Sequence, residues 1–257
     1  MTTPTASRRT LEQALNSWRL SGVEHLPPFN PSVEVELAQA DSSATPSASS
    51  NSSNDITSND MNLSKLIESS DPAQALAMLQ KQVAQCALCP NLASTRTQTV
   101  FGVGNPRARL LFLGEAPGAD EDAQGIPFVG RSGRLLTDMI EKGMKLSRED
   151  IYICNVLRCR PPENRNPLPE EAARCRPFME AQIQIVNPEF ICCLGAVAAK
   201  NLLQTDLAIG KLRGTFHDWK GHKVLCTYHP SYLLRNPPAK KDAWADLQIL
   251  MRAMGLL

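Results

Sequence analysis

Four short apolar runs recur in the chain, and each is followed by a turn-forming segment and then, for the first three, by a helical pattern. The runs lie at residues 109–117, 151–157, 190–195 and 222–230. The longest helical pattern, over residues 167–186, opens with proline and acidic residues, as helices commonly do. Strands that alternate with helices form a parallel sheet covered on both faces. The sequence therefore predicts a three-layer α/β/α fold with a central parallel sheet.

The N-terminal part of the chain differs from the rest in composition. With 257 residues, the chain can form one packed domain plus an extension. Residues 38–64 are dominated by Ser, Asn, Asp and Thr, and they hold too little apolar surface to fold. We therefore predict an extension over 1–37, a disordered linker over 38–70 and the folded domain over 71–257. A short helix after Thr10 could dock a protein partner, although an extension without a function fits the same pattern.

Charge and hydropathy limit the class of protein. The net charge is +1, but residues 81–257 carry 23 Lys and Arg against 17 Asp and Glu. This mild cationic bias is compatible with a phosphate-rich partner without requiring one. No apolar segment reaches membrane-spanning length, and no apolar leader follows the basic N-terminus. We expect a cytoplasmic protein without a membrane partner, in which the eight cysteines stay reduced.

Four of the cysteines are spaced as a ligand set. Cys86 and Cys89 form a C-x-x-C pair at a helix end, and Cys159 and Cys175 form a second, wider pair. Four thiolates suit either zinc or an iron–sulfur cluster, and zinc is the default on spacing alone. The other cysteines lie in apolar runs and are expected to be buried without a ligand role: Cys154, Cys192, Cys193 and Cys226.

Three loops are predicted at the carboxyl ends of the strands, where parallel sheets bind their ligands. They carry the sequences GEAPG, NVLRCRPPENR and HPSYLLR. Taken singly, Glu115 could be a turn carboxylate, Phe128 a core residue, Asn155 a backbone partner and His229 a turn cap. Their shared position at loop and strand ends favours one functional site.

The sequence resembles the family 4 uracil-DNA glycosylases over about residues 80–255. The resemblance rests on GEAPGADEDAQGIPFVGRSGRLL, NVLRCRPPENRNPLPEEAARC and HPSYLLR, preceded by the C-x-x-C pair. It implies an α/β/α domain that excises uracil from DNA. It also implies a [4Fe-4S] cluster in place of zinc, held by Cys86, Cys89, Cys159 and Cys175.

The resemblance also implies roles for individual residues. Phe128 would stack on a uracil flipped out of the helix, and Asn155 would read the amide edge of that base. His229 would donate a hydrogen bond to uracil O2 as negative charge develops there. Glu115 and the 116–118 turn would face the sugar and the attacking water. Further residues expected to border the substrate are Gly114, Ala116, Gly118 and Asn164.

Two positions depart from the family 1 pattern. Ala116 stands where family 1 enzymes have a water-activating aspartate, so either Glu115 or the substrate phosphates must compensate. Gly118 stands where family 1 enzymes have the tyrosine that blocks thymine, and Glu121 is our candidate for that exclusion. The loop PPENRNP lacks the basic insertion and reactive histidine of the related covalent-trapping subgroup, so we expect no stable covalent adduct.

The segment 231–235 is expected to contact DNA beside the flipped base. Ser231 and Arg235 would contact the backbone, with Tyr232 or Leu233 as a wedge. The loop after the second strand adds three polar side chains near the same backbone: Arg160, Asn164 and Arg165.

Two other readings of the sequence stay open. One is a non-catalytic iron–sulfur protein that binds nucleic acid or transfers electrons, and the other is a glycosylase with broader base choice. The first explains the cysteines and the charge but not the placement of the polar residues at strand ends. We expect a monomer whose partner is uracil-containing DNA.

Overall fold

The computed structural model describes residues 63–257, which form a six-stranded sheet between two layers of helices. The spatial order of the strands is β1-β3-β2-β4-β6-β5. Their bounds are β1 Val103–Gly104, β2 Leu110–Gly114, β3 Tyr152–Asn155, β4 Phe190–Leu194, β5 Phe216–Trp219 and β6 His222–Thr227.

The helices alternate with the strands as the sequence predicts. In chain order they are α1 Pro72–Ala84, α2 Pro90–Thr95, α3 Ala119–Gln124, α4 Arg131–Asp138, α5 Pro169–Val186, α6 Ala196–Leu203, α7 Ile209–Leu212, α8 Pro230–Arg235 and α9 Lys240–Met254. A π-helical segment, Met139–Met144, continues α4, and 3-10 turns lie at Pro162–Asn164 and Pro237–Ala239. The carboxylate of Asp71 caps α1, accepting hydrogen bonds from the backbone N–H groups of Ala73 at 3.0 Å and Gln74 at 3.3 Å. None of the helices in residues 63–257 is both long and apolar enough to cross a membrane.

The four central strands are parallel, as predicted, and they point their side chains alternately into two cores. Leu111 and Leu113 of β2 pack in one core with α1, α5 and α6. Leu110 and Phe112 pack in the other core with α4 and α9. This alternation follows from the two-residue period of a strand, and it explains why strands buried on both faces appear as continuous apolar runs.

The order of the strands determines where a ligand can bind. Chain connections from the central strand β2 lead to β3 on one side, and β4 lies on the other side of β2. Strand β4 is in turn followed by β6 on its far side, so the loops after β2 and β4 diverge at the carboxyl edge of the sheet. Such a switch point leaves a crevice open to ligands.

The structure differs from the sequence-based expectation at the periphery. Both edge strands, β1 and β5, are antiparallel to their neighbours and were not predicted. Residues 63–67 are helical, and Leu63 and Leu66 are buried in the core that contains α1. These residues lie within the predicted linker 38–70, so ordered structure begins before its expected end. The predicted docking helix and most of that linker lie outside the described residues.

Candidate active site

A pocket of about 390 Å³ lies at the carboxyl edge of the sheet, where the loops after β2, β3 and β6 meet. Most of the residues predicted to contact substrate or DNA, or to act in catalysis, line it together. Its lining residues are Glu115, Ala116, Pro117, Gly118, Glu121, Phe128, Ser132, Asn155, Pro161, Asn164, Arg165, Asn166, His229, Ser231 and Arg235. Ser132, Pro161 and Asn166 also line the pocket, although nothing in the sequence motifs marked them individually.

Asn155 ends strand β3 and presents its amide to the pocket. Its side chain is only 2% exposed, and its Oδ1 has no hydrogen-bond partner among the described residues. Buried amide oxygens are nearly always hydrogen-bonded, so an unpaired one that lines a pocket indicates a binding site for a polar ligand. Asn155 thus offers an acceptor to whatever occupies the site.

Gly114 does not line the pocket but supports it from behind. It pairs with Asn155 across the parallel β2–β3 ladder. A Cβ at Gly114 would lie 2.3 Å from Asn155 Oδ1 and 2.6 Å from two ring carbons of Phe128. These distances are shorter than van der Waals contact, so only glycine allows both side chains to sit where they are.

Phe128 forms one wall of the pocket in an unusual backbone conformation. Its φ is +54°, a left-handed value that is rare for a bulky residue and costs about 1–3 kcal/mol where it occurs. Gly133 makes room for it, because a Cβ there would lie 2.0 Å from the Phe128 carbonyl. The Phe128 ring lies 5.7 Å from the His229 ring, centroid to centroid, at an angle of 37°. The two rings therefore border the same space.

His229 occupies the N-cap of α8, two residues after the end of β6. Its Nδ1 lies 3.2 Å from the backbone nitrogen of Ser231 and 2.7 Å from the Ser231 hydroxyl. A backbone N–H can only donate, so Nδ1 is the acceptor and the neutral ring carries its proton on Nε2. Burial, assisted by the positive charge of Arg235, lowers the pKa of His229 to about 4. His229 is therefore a neutral hydrogen-bond donor at physiological pH.

Two glutamates of the first loop have different environments. Glu115 makes no ion pair among the described residues, and burial raises the pKa of its carboxyl. Glu121 Oε2 accepts a hydrogen bond from Gly118 N at 3.1 Å, and Oε1 accepts from the N–H groups of Val129 and Gly130 at 3.0 Å each. Glu121 thus joins the turn before α3 to the loop that carries Phe128. Glu121 also lines the pocket. That Glu121 excludes thymine remains a prediction.

The loop after β3 is held by side-chain contacts. Arg160 donates to Asn164 Oδ1 at 2.8 Å, and Asn164 adopts a left-handed φ of +56°, which asparagine tolerates. Arg165 forms a two-pronged ion pair with Glu171, with N–O distances of 2.9 and 2.6 Å. This pairing orients the loop that forms the outer rim of the pocket.

Helix α8 presents its residues to different surroundings. Ser231 and Arg235 line the pocket, whereas Tyr232 is 39% exposed and packs on Tyr228 with ring centroids 5.0 Å apart. Leu233 is 1% exposed and points into the protein. The expectation that Leu233 could act as a wedge is therefore wrong, because its face of the helix is the one that packs inward.

The four cysteines predicted as ligands line one cavity, and Ala116 of the pocket packs against the buried group that includes Cys159. Cys86 follows α1, Cys89 caps α2, Cys159 follows β3, and Cys175 lies on α5. No group of three or more His, Cys, Asp or Glu side chains in residues 63–257 forms a site for a single metal ion. The cysteines without a predicted ligand role are fully buried in the sheet, as expected: Cys154, Cys192, Cys193 and Cys226.

Arginines surround this cavity and favour thiolates in it. Burial raises the pKa of the Cys175 thiol to about 11 and also raises the pKa values of Cys89 and Cys159. Nearby arginines oppose this effect: Arg96 donates to Cys159 Sγ at 2.9 Å, and Arg174 acts to lower the pKa of Cys89. Four sulfur donors with cationic neighbours fit a thiolate-bound metal group, whose binding would release the thiol protons.

Comparison with known proteins identifies the family. The family model described as the uracil DNA glycosylase superfamily matches residues 101–248. A type-4 uracil-DNA glycosylase of Thermotoga maritima is 49% identical over 166 residues, which span 63% of this chain and 85% of that protein. A type-4 uracil-DNA glycosylase of Archaeoglobus fulgidus is 40% identical over 183 residues, spanning 68% of this chain and 91% of that protein. This chain therefore belongs to the type-4 group of the uracil DNA glycosylase superfamily.

Proposed function

We propose that this chain is a DNA-repair enzyme that flips uracil out of DNA and hydrolyses its N-glycosidic bond, leaving an abasic site. The observation that carries the proposal is the unpaired, buried Oδ1 of Asn155, which lies in the same pocket as Phe128 and His229. Recognition of a flipped pyrimidine requires hydrogen-bonding groups and an aromatic face. Here Asn155 is the acceptor, Phe128 is the aromatic face and His229 is the neutral donor.

Asn155 is suited to read the edge of uracil. Its Oδ1 accepts from uracil N3–H, and its amide nitrogen donates to uracil O4. Cytosine in the same orientation would place its N3 acceptor opposite Oδ1 and its amino donor opposite the amide nitrogen. Each group left unpaired costs about 1–3 kcal/mol of binding free energy. The rigid support from Gly114 and the burial of the amide keep this penalty from being relieved by movement.

His229 and Phe128 act on the bound base. Phe128 stacks on the pyrimidine ring, while His229 Nε2–H donates to uracil O2. When the N-glycosidic bond breaks, its electron pair moves onto uracil and leaves positive charge on the sugar. A fixed donor at O2 stabilises that developing anion, and the loss of one such donor typically lowers a rate by about 10²–10³. The neutral state of His229 preserves this role across the physiological pH range.

Glu115 is the group we assign to the sugar and the attacking water. Its raised pKa makes it a better proton acceptor than a solvent-exposed carboxylate would be. Ala116 lines the same pocket and offers no second acid. Glu115 therefore accepts the proton of the water that attacks C1′ of the sugar.

The DNA backbone is assigned to the rim of the pocket. Ser231 and Arg235 of α8 and Arg165 of the loop after β3 all line this pocket. Tyr232 is the exposed aromatic residue next to them and is our candidate wedge beside the flipped base.

We assign a [4Fe-4S] cluster to the four-cysteine cavity. Four thiols on one cavity, with arginine donors beside them, support thiolate ligation by Cys86, Cys89, Cys159 and Cys175. When bound, the cluster supplies a covalent cross-link among α1, α2, the loop after β3 and α5. The protein residues perform the excision, and the cross-link holds the loop that follows Asn155.

Incubation with matched oligonucleotides tests the excision. Single- and double-stranded DNA containing one uracil, or thymine or cytosine at the same position, is incubated with the holoenzyme and then treated with alkali. Cleavage only at uracil is expected. No cleavage after alkali, or equal cleavage at thymine, would contradict the proposal.

Metal analysis tests the cluster. Purified protein is expected to be brown, with about four irons and matching sulfide for each chain. A colourless and fully active protein that contains one zinc would refute the cluster while leaving the excision intact.

A further inference from the structure

Arg158 is a buried arginine without an acidic partner. Its side chain is 1% exposed, and no ion pair in residues 63–257 includes it. Its Nε has no hydrogen-bond acceptor among these residues. The guanidinium is always charged in proteins, and a buried charge is strongly unfavourable unless an opposite charge lies near it. A negatively charged group is therefore expected close to the Arg158 guanidinium.

The cavity of the four cysteines supplies that source. Arg158 lines the cavity together with Cys86, Cys89, Cys159 and Cys175. Arg158 also directly precedes Cys159 in the chain, so its charge lies beside these sulfur atoms. A cluster with four thiolate ligands carries net negative charge, so it would act as the missing counter-ion.

On its other side, Arg158 contacts the residue that faces the base. One guanidinium nitrogen donates to the backbone carbonyl of Asn155, and the other donates to Gln182 Oε1. Gln182 is itself fixed, since its Nε2 donates to Tyr152 Oη at 2.7 Å and to the Phe101 carbonyl at 3.1 Å. Arg158 thus joins the cysteine cavity to the backbone of Asn155 within one buried network.

The other two arginines at the cavity do not make this connection. Arg96 donates to Cys159 Sγ and to the Cys86 carbonyl, and Arg174 donates to the Leu88 carbonyl. Both are partly or fully accessible to solvent, which can stabilise their charge. Arg158 is the cavity arginine whose charge depends on the cluster and whose hydrogen bond reaches the pocket.

We propose that Arg158 is a positioning residue that uses the cluster as its counter-ion and thereby fixes the backbone of Asn155 for reading the base. The proposal rests on the proposed function, because it takes both the cluster and the uracil-reading part of Asn155 from there. It explains why the cluster lies beside a pocket whose chemistry does not need iron.

Two substitutions separate the charge of Arg158 from its shape. Arg158→Gln removes the charge, and Arg158→Lys keeps it. Arg109→Gln is the control, because Arg109 forms an exposed ion pair with Glu189 at the start of β2, away from both sites. For the holoenzymes we would measure iron content, the midpoint potential of the cluster, single-turnover excision of uracil and binding to undamaged DNA.

A buried positive charge stabilises the more negative, reduced form of a neighbouring cluster, so its loss shifts the midpoint potential to more negative values. Arg158→Gln is expected to show this shift and an excision rate at least about 10-fold lower, because Asn155 loses its fixed position. Binding to undamaged DNA should not change. Arg158→Lys should keep the wild-type potential and recover part of the rate, and Arg109→Gln should match the wild type throughout.

Wild-type potential and excision rate in an iron-replete Arg158→Gln would overturn the proposal. If Arg158→Gln loses its iron, retention of iron by Arg158→Lys supports the counter-ion role. Equal loss from both variants would overturn it, because shape and not charge would then be required. A wild-type protein without iron or without excision would instead refute the proposed function, so the two failures are distinguishable.

Discussion

Substitution of Gly114 by alanine is expected to disable the pocket while leaving the fold in place. The added Cβ would lie 2.3 Å from Asn155 Oδ1 and 2.6 Å from the Phe128 ring. Both side chains are buried, and the free space beside them is the pocket that they line, so relief of this contact would move them into it. Overpacking of this kind costs about 1–3 kcal/mol of stability, and a shift of about 1 Å in a positioning group lowers a rate about 10²-fold. We therefore expect Gly114→Ala to excise uracil about 100-fold more slowly.

Single-turnover excision with saturating enzyme measures this loss, and urea unfolding measures the accompanying change in stability. Gly210→Ala is the matched control, because a Cβ at Gly210 would meet no atom of the described residues within 4 Å. The control should excise uracil at the wild-type rate. A Gly114→Ala variant that also does so would show that Asn155 and Phe128 are not held against Gly114, and the account of base reading would fail.

Three further predictions concern Asn155 and His229. Asn155→Asp replaces the amide donor by an oxygen that repels uracil O4, so uracil excision should fall steeply at unchanged iron content; near-normal excision would remove Asn155 from base reading. His229→Ala should lower the single-turnover rate about 10²–10³-fold with little effect on DNA binding, whereas an equal fall in both would make His229 a binding residue. The folded-state pKa of His229 is about 4, below the unfolded value of 6.5, so the neutral form contributes its full stability above about pH 6.5. That contribution, about 3 kcal/mol, is lost as the pH falls from 6.5 to 4, and His229→Gln should lack this pH dependence of unfolding; parallel stability curves would contradict it.

The central strands could be predicted because each one is marked by the apolar residues of its own short segment. Strands β2, β3, β4 and β6 are buried on both faces, so each appears as an apolar run of its own. The edge strands have no such signal. Strand β1 is two residues long, and the residues of β5 are mostly exposed or half-buried. Their pairing depends on neighbours that are distant in sequence.

The residues that line the pocket could be predicted, but the buried residues that hold them in place could not. Glu115, Asn155 and His229 stand at strand ends, where a parallel sheet places its ligand-binding groups. Arg158 was missed because an arginine in a basic loop usually faces solvent or phosphate. Its burial depends on Gln182, which lies on a helix 24 residues later. The inward orientation of Leu233 likewise depends on how α8 packs, which no local pattern reveals.

The most direct test of the central claim is the identity of the base released from DNA. A duplex with one uracil, incubated with the iron-replete holoenzyme, should release free uracil in equal amount to the abasic sites formed, as quantified by mass spectrometry. The same duplex with thymine should release nothing. Absence of free uracil, or strand cleavage without an abasic intermediate, would contradict the account of this pocket as a uracil-excising site.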